Sequence, residues 1–408
     1  MTIEQLRGQF PILGEKVYGR PLVYLDNAAT SQRPLSVVEK WEQFTLKSNA
    51  NLHRAVHKLA ADATAEYEGA RQAAADFIGA GDAHEIVFTS GATAAINLVA
   101  FCFGEAFIKA GDKIIVSEEE HHSNIVPWQM MAQRKGAVLK VLPVDVNGQL
   151  RVDMLDDMLS DGKVRLLSVA HISNVLGIVN PVEEIIAKCH KYGCAVLVDG
   201  AQGIVHQKVD VTAMGCDFYA FSGHKLYAAP GTGVLYAKKE WLDAFPPYMG
   251  GGEMIETVRW TGTTFAKAPH KFEAGTQNIS GTPTLVPAFE IATRMREQSI
   301  DSEAVAVKDF VYEALKGNPL VRLFGCPDRP EDKIPLFSFC VDGVHHEDLA
   351  LILDKMGFAV RSGQMCAEPL MDRFGVTGML RASFAPYNTM EEAQMFINAL
   401  DKAVKMLR

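Results

Sequence analysis

Lys225 follows His224 at the break of a short apolar run, within the stretch FYAFSGHKLYAAPGTG from Phe218 to Gly233. A lysine there, ahead of a Gly- and Pro-punctuated loop, is placed for chemistry rather than for packing. Upstream, a second apolar run, AVLVDGAQ, delivers Asp199. A carboxylate at the end of an all-apolar strand is costly unless it faces a cation, either a structural Arg or Lys or a protonated pyridine nitrogen. Lys225 is either that structural partner or an amine whose pKa is lowered by burial and nearby cations, ready to attack an aldehyde.

Other polar groups fall at the ends of apolar runs. Ser90-Gly91-Ala92-Thr93 follows EIVFT and precedes a helical pattern. Such a turn presents N–H groups and the Thr93 hydroxyl to a phosphate, or is a plain helix cap. EEEHHSN (118–124) follows KIIVS. Adjacent histidines cannot share one helix face, so this pair is not a metal site; one ring can stack on a flat ligand and move protons, or the segment is a solvated loop. His171 and Ser173-Asn174 follow VRLLSVA, and Ser222 and His224 flank Lys225 within reach of a phosphate. A phosphate turn, an acidic pyridine partner and a lysine, in that order, together fit a pyridoxal phosphate enzyme.

The elements that must position these residues alternate. Strand-like runs at 85–89, 113–117, 138–144, 164–170, 195–199, 218–222 and 233–237 are separated by helical patterns, notably Thr93–Lys109, Val126–Lys135 and Pro181–Tyr192. Continuous Val/Ile/Leu runs between helices predict an α/β fold with a mostly parallel sheet covered on both faces, and polar residues at its strand ends lie where such sheets bind ligands. The short connection between 218–222 and 233–237 favours antiparallel pairing there. Past Trp241 the chain reads as loop-rich and without period, up to a helix at 287–298. LFSFCV (336–341), FAVRS (358–362) and helical patterns at 346–356 and 390–407 predict a smaller α+β C-terminal domain. The expected division is an N-terminal segment 1–20 packing with the small domain, a large domain 21–290 and a small domain 291–408.

The 408 residues are 48% apolar and 22% charged, ample for a large core. A net charge of −9 without a dense basic cluster argues against nucleic acid as a partner. No apolar stretch approaches a membrane span, and Met1–Gly14 lacks a hydrophobic signal core, so the expected location is cytoplasmic. The 7 cysteines are scattered without a C-x-x-C pair, against a disulfide framework or structural zinc; His190 and Cys194 on one helical turn are not read as a metal site.

The set SGAT (90–93), EHHSNIVPW (120–128), HISNVLG (171–177), VDGAQ (198–202), FSGHKLY (221–227), FEAGTQN (272–278) and RSGQMCAEPLM (361–371) resembles the SufS-type, group II cysteine desulfurases. These are class V aminotransferase, fold-type I pyridoxal phosphate enzymes, and the resemblance runs from YLDNAAT (24–30) to RASFAPYNT (381–389). It implies that Lys225 carries the cofactor, Asp199 meets the pyridine nitrogen, Gln202 the ring oxygen, and His121 stacks on the ring and helps in proton transfer. It further implies that Thr93, Ser222 and His224 hold the phosphate, with Thr276 reaching it from the other subunit of a homodimer. Asn174 and Arg381 would bind the substrate carboxylate, and Cys366 would take sulfur from L-cysteine as a persulfide, releasing alanine. A SufE-like or SufU-like protein would then accept sulfur for iron–sulfur cluster assembly; selenocysteine lyase activity is the neighbouring expectation. Two positions depart from the family: Gln364-Met365 stand where histidines often precede the nucleophile, and Gly91-Ala92-Thr93-Ala94 replaces GTTE.

Overall fold

The computed structural model describes residues 2–53, 55–297 and 300–408. The seven strand-like runs form one seven-stranded sheet: β1 (Ile86–Thr89), β2 (Lys113–Ser117), β3 (Val138–Leu142), β4 (Val164–Ala170), β5 (Ala195–Asp199), β6 (Phe218–Ser222) and β7 (Gly233–Ala237), in the spatial order β1-β7-β6-β5-β4-β2-β3. Strands β2 to β6 pair in parallel, whereas β7 is antiparallel to both β6 and β1, as its short connection requires.

Alternation along each strand divides the core in two. Phe88, Ile115, Leu167, Val198 and Tyr219 face one cluster, while Val87, Ile114, Leu166, Leu197 and Phe218 face the other, with the helix Ala92–Phe107 and Trp128. With both faces buried, every residue of β5, β6 and β7 is inaccessible, which explains why these strands read as unbroken apolar runs. Register brings Ala170 opposite Asp199 and Ser222 opposite Gly233, so the chemistry-bearing ends converge along one edge.

The stretch past Trp241, read as loop, contains a hairpin, β8 (Ile255–Arg259) and β9 (Gly262–Phe265). Eight of its nine side chains are exposed, with only Ile255 half-buried, so no apolar alternation marks it. The C-terminal part is an antiparallel sheet of β10 (Val321–Phe324), β11 (Leu336–Val341), β12 (Arg361–Gly363) and β13 (Met379–Ser383), ordered β10-β11-β13-β12. The helices Ile300–Lys316, His346–Lys355 and Met390–Leu407 accompany it. FAVRS is not one strand. Phe358–Ala359 pairs in parallel with Val23–Tyr24, and after Val360 the chain joins β13 instead. The start of the chain is thereby bound to its end: Ser383 N donates to Leu25 O at 2.7 Å, and Arg7 pairs with Glu392 at 2.8 Å. Among the described residues, no helix is long and apolar enough to cross a membrane.

Candidate active site

Nine of the eleven residues singled out from the sequence line one cavity at this edge: Thr93, His121, Asn174, Asp199, Gln202, Ser222, His224, Lys225 and Arg381. Its phosphate-sized corner is built from the turn before the helix Ala92–Phe107. Gly91 takes φ 154°, a value that suits glycine, and Ala92 N donates to Ser222 Oγ at 2.8 Å. A Cβ on Gly233 would lie 2.3 Å from Gly91 Cα, so the turn and β7 are in backbone contact. With the N-terminus of a helix behind it and Thr93, Ser222 and His224 around it, this corner suits a dianion. The His224 ring faces Thr30 Oγ1 at 3.2 Å, and burial, with Lys225 nearby, pushes its pKa down to about 4.

Lys225 is half-buried among like and unlike charges. Burial lowers its pKa to about 8 against the pull of Asp199, and Arg381 and Arg361 add to the lowering. Asp199 is raised by burial, with Lys225 and the Ala201 N–H opposing. That N–H, at 2.9 Å from Oδ1, leaves the carboxylate needing a further cation or N–H donor. Burial first, then Lys225, pushes His121 down to about 3, so its imidazole is neutral. Its Nδ1 accepts from Ser123 N at 3.1 Å, an assignment that places the ring proton on Nε2. Gln202 Nε2 donates to Ala28 O at 2.8 Å, tying the small-residue turn YLDNAAT to the cavity.

Beneath His121 lies a polar layer that sequence reasoning passed over within EEEHHSN. Glu120 Oε1 accepts from Ala170 N at 2.7 Å, and Oε2 accepts from Asn124 Nδ2 at 2.7 Å, joining the ends of β2 and β4. Burial raises Glu119 to about 7 and Glu120 to about 8. Their only signal was a run of acids directly after a buried strand. Arg361 was also missed as a site residue; it brings a second guanidinium to the cavity beside Arg381.

Cys366 does not line the cavity; Met365 does. Both residues sit at positive φ, 54° for Met365 and 56° for Cys366, two consecutive left-handed non-glycine residues that a surrounding scaffold must hold. Asn174 Nδ2 donates to Met365 O at 2.9 Å, and His122 N to Cys366 O at 2.7 Å. The thiol is close enough to Lys225 and Arg381 for its charge to act on both. Arg381 is fully buried, and burial lowers it to about 10; it donates to Asn174 O at 2.8 Å and meets Asp26 at 3.2 Å. Its Nε is buried without a partner, while the side chain as a whole borders the cavity. Thr276 lies elsewhere, in a separate cavity with Thr89, Ser90 and Asn278. His190 pairs with Asp217 at 2.8 Å, whereas Cys194 is a free, buried thiol whose Sγ donates to Ala195 O at 3.5 Å.

These groups fit pyridoxal phosphate: a helix-end corner for the phosphate, an under-satisfied buried carboxylate for the ring nitrogen, and a lysine with a lowered pKa. The comparisons agree. The aminotransferase class-V profile matches residues 23–396. A cysteine desulfurase of Cronobacter sakazakii is 45% identical over 407 residues, covering 100% of this chain and 99% of that protein. The crystal structure of the Escherichia coli cysteine desulfurase CsdA, in an S-sulfonic acid form, matches with a TM-score of 0.91 and 41% identity, covering 100% of both chains. The apo cysteine desulfurase of Thermococcus onnurineus matches with a TM-score of 0.93 and 37% identity, covering 100% of this chain and 99% of that one. Fold and cavity define a fold-type I pyridoxal-phosphate-dependent enzyme. The chain belongs to the aminotransferase class-V family, and within it to the cysteine desulfurases.

Proposed function

We propose that the chain, as a homodimer loaded with pyridoxal 5′-phosphate, converts L-cysteine to L-alanine. The sulfur is left as a persulfide on Cys366, for a SufE-like or SufU-like acceptor in iron–sulfur cluster assembly of the SUF type. The observation that carries this reading is the loop after β12, which brings a cysteine beside the cavity of Lys225 and Asp199.

When bound, the cofactor supplies an electron sink for bonds broken at the substrate's α-carbon. Arg381 and Asn174 bind the substrate carboxylate, with Arg361 adding a second guanidinium in the same cavity. Lys225 Nζ, lowered to about 8, takes the α-proton. The Cys366 thiolate attacks the substrate sulfur; the S–S bond forms, the Cβ–S bond breaks, and its electron pair stays with carbon. A proton, which neutral His121 can relay through Nε2, quenches that carbon, and return of the α-proton releases alanine.

Uncovered apolar side chains support the dimer. Val56 and Trp260 are fully exposed and Leu46 is 71% exposed in the single chain, a pattern that a symmetric partner would bury. Thr276, away from its own chain's cavity, is then available to the partner's phosphate corner. The test is alanine release from L-cysteine, with mass spectrometry for one added sulfur on Cys366 and for its passage to each type of acceptor. Alanine formation without any sulfur on Cys366 would sink the persulfide reading.

A further inference from the structure

Outside the active-site cavity, the described residues contain one group of metal-ligating side chains: His53, Glu68 and His270. His53 lies in the loop before the helix Lys58–Ile78, Glu68 on that helix, and His270 in the turn beyond β9. Their ligand atoms all lie within 4.8 Å of one another, with His53 Nε2 and Glu68 Oε1 at 3.5 Å. Metal–ligand bonds of ~2.0–2.1 Å set the edge of a tetrahedral site at about 3.3–3.4 Å. The His53–Glu68 pair already stands near that spacing, and a modest side-chain rotation at His270 closes the triangle.

Charge and the contacts of Glu68 point the same way. Arg71 donates Nε to Glu68 Oε2 at 2.8 Å and binds both oxygens of Glu273, at 2.6 and 2.9 Å. One guanidinium against two carboxylates leaves a negative charge in excess. The Arg71 contact also orients Glu68, as outer-shell partners orient metal ligands. His53 and His270 border a cavity shared with Asn51 and Gln277, which leaves room for a fourth ligand.

We propose that His53, Glu68 and His270 bind a divalent transition ion of the zinc class, with the fourth position open to this cavity. Two imidazoles and a carboxylate are a ligand set suited to zinc. The ion ties the His53 loop and the His270 turn to the helix between them, and so stabilises the folded chain by mass action. Sequence spacing could not reveal this set, because the three residues come from distant segments and no short motif joins them.

The test titrates zinc into the purified, cofactor-loaded protein against a chromophoric chelator, comparing wild type with His270→Ala and Glu68→Gln. Wild type is expected to take up one more zinc per chain than either variant, or to bind it ~100-fold more tightly, since losing even an outer-shell partner costs ~10–100-fold. Zinc should raise the thermal midpoint of wild type and not of the variants, and cobalt in its place should give the visible bands of a tetrahedral site. His53→Ala, in the loop, substitutes for any variant that fails to fold. Equal zinc uptake by wild type and folded variants, or none by wild type, overturns the proposal.

Discussion

The amide of His122 donates to the carbonyl of Cys366 at 2.7 Å. The segment that presents His121 to the cavity therefore also holds the loop that carries the thiol. On the other side of that loop, Asn174 Nδ2 bonds Met365 O. The segments after two strands of the large sheet thus clamp the turn of the C-terminal part that carries Cys366.

Cys366→Ala should abolish alanine release from L-cysteine while leaving the cofactor's absorbance intact. The thiol is needed for sulfur abstraction, not for the cavity's shape, since it lies off the lining. With selenocysteine, whose selenium leaves more readily, the same variant should retain alanine release. Undiminished turnover of cysteine would remove Cys366 from the reaction.

Asn174→Ala should loosen the clamp and remove a polar group from the cavity. Leaving the Met365 carbonyl without its donor costs about 1–3 kcal/mol, which corresponds to roughly a 10–100-fold loss in kcat/KM. Proteolysis within 361–368 should speed up in parallel. A variant with wild-type kinetics and wild-type protease resistance would show that the bond does not position the loop.

The Lys225 amine, lowered to about 8, should govern how cofactor-free protein captures pyridoxal phosphate. The neutral amine is the nucleophile, so the capture rate should rise about tenfold per pH unit below pH ~8 and level off above it. Asp199 holds the amine's proton on, so Asp199→Asn should move the plateau to lower pH. Stopped-flow absorbance reads this directly; a plateau unmoved or shifted upward contradicts the coupling.

Glu119 Oε2 and Asn180 Oδ1 are buried without partners, although Asn180 Nδ2 donates to Glu119 Oε1. One proton on Oε2 satisfies both atoms, and burial raises the Glu119 pKa to about 7. Because the folded pKa lies above the unfolded one, the folded state binds the extra proton. Its stabilisation is complete below the unfolded pKa, ~4.3, and is lost as pH rises through about 7. Glu119→Gln keeps an amide-to-amide pair at every pH. Between pH 5 and 8 the wild-type unfolding free energy should therefore fall relative to the variant's, by on the order of 2–3 kcal/mol, with the thermal midpoint falling in parallel. Parallel midpoint curves would show that Glu119 does not titrate about pH 7 in the folded protein.

Gly233→Ala should separate β7 from the phosphate turn. Its Cβ would meet Gly91 backbone atoms at 2.3–2.8 Å, and backbone cannot rotate aside. Overpacking of this kind costs about 1–3 kcal/mol, or roughly 1–4 °C in thermal midpoint for a chain of this length. Cofactor retention on dialysis should weaken as well. A variant that keeps both midpoint and cofactor would mean that the turn shifts without cost.

The main sheet was legible in the sequence because strands buried on both faces carry continuous apolar runs, with catalytic side chains following at their ends. Lys225 and Asp199 stood out by residue type at strand ends, and Cys366 only through its resemblance to a family motif; the structure brings the first two to one cavity and the loop of the third beside it. Tertiary structure decided the rest. The exposed hairpin β8–β9 has no apolar period to read, and the split of FAVRS depends on which distant strands lie alongside it. Arg361 and Arg381 face one another across β12 and β13, and their mutual charge lowers Arg381 only because both are brought to one buried cavity. The fate of Glu119, the docking of the Cys366 loop and the meeting of His53, Glu68 and His270 follow from burial and long-range contact, which a linear sequence does not carry.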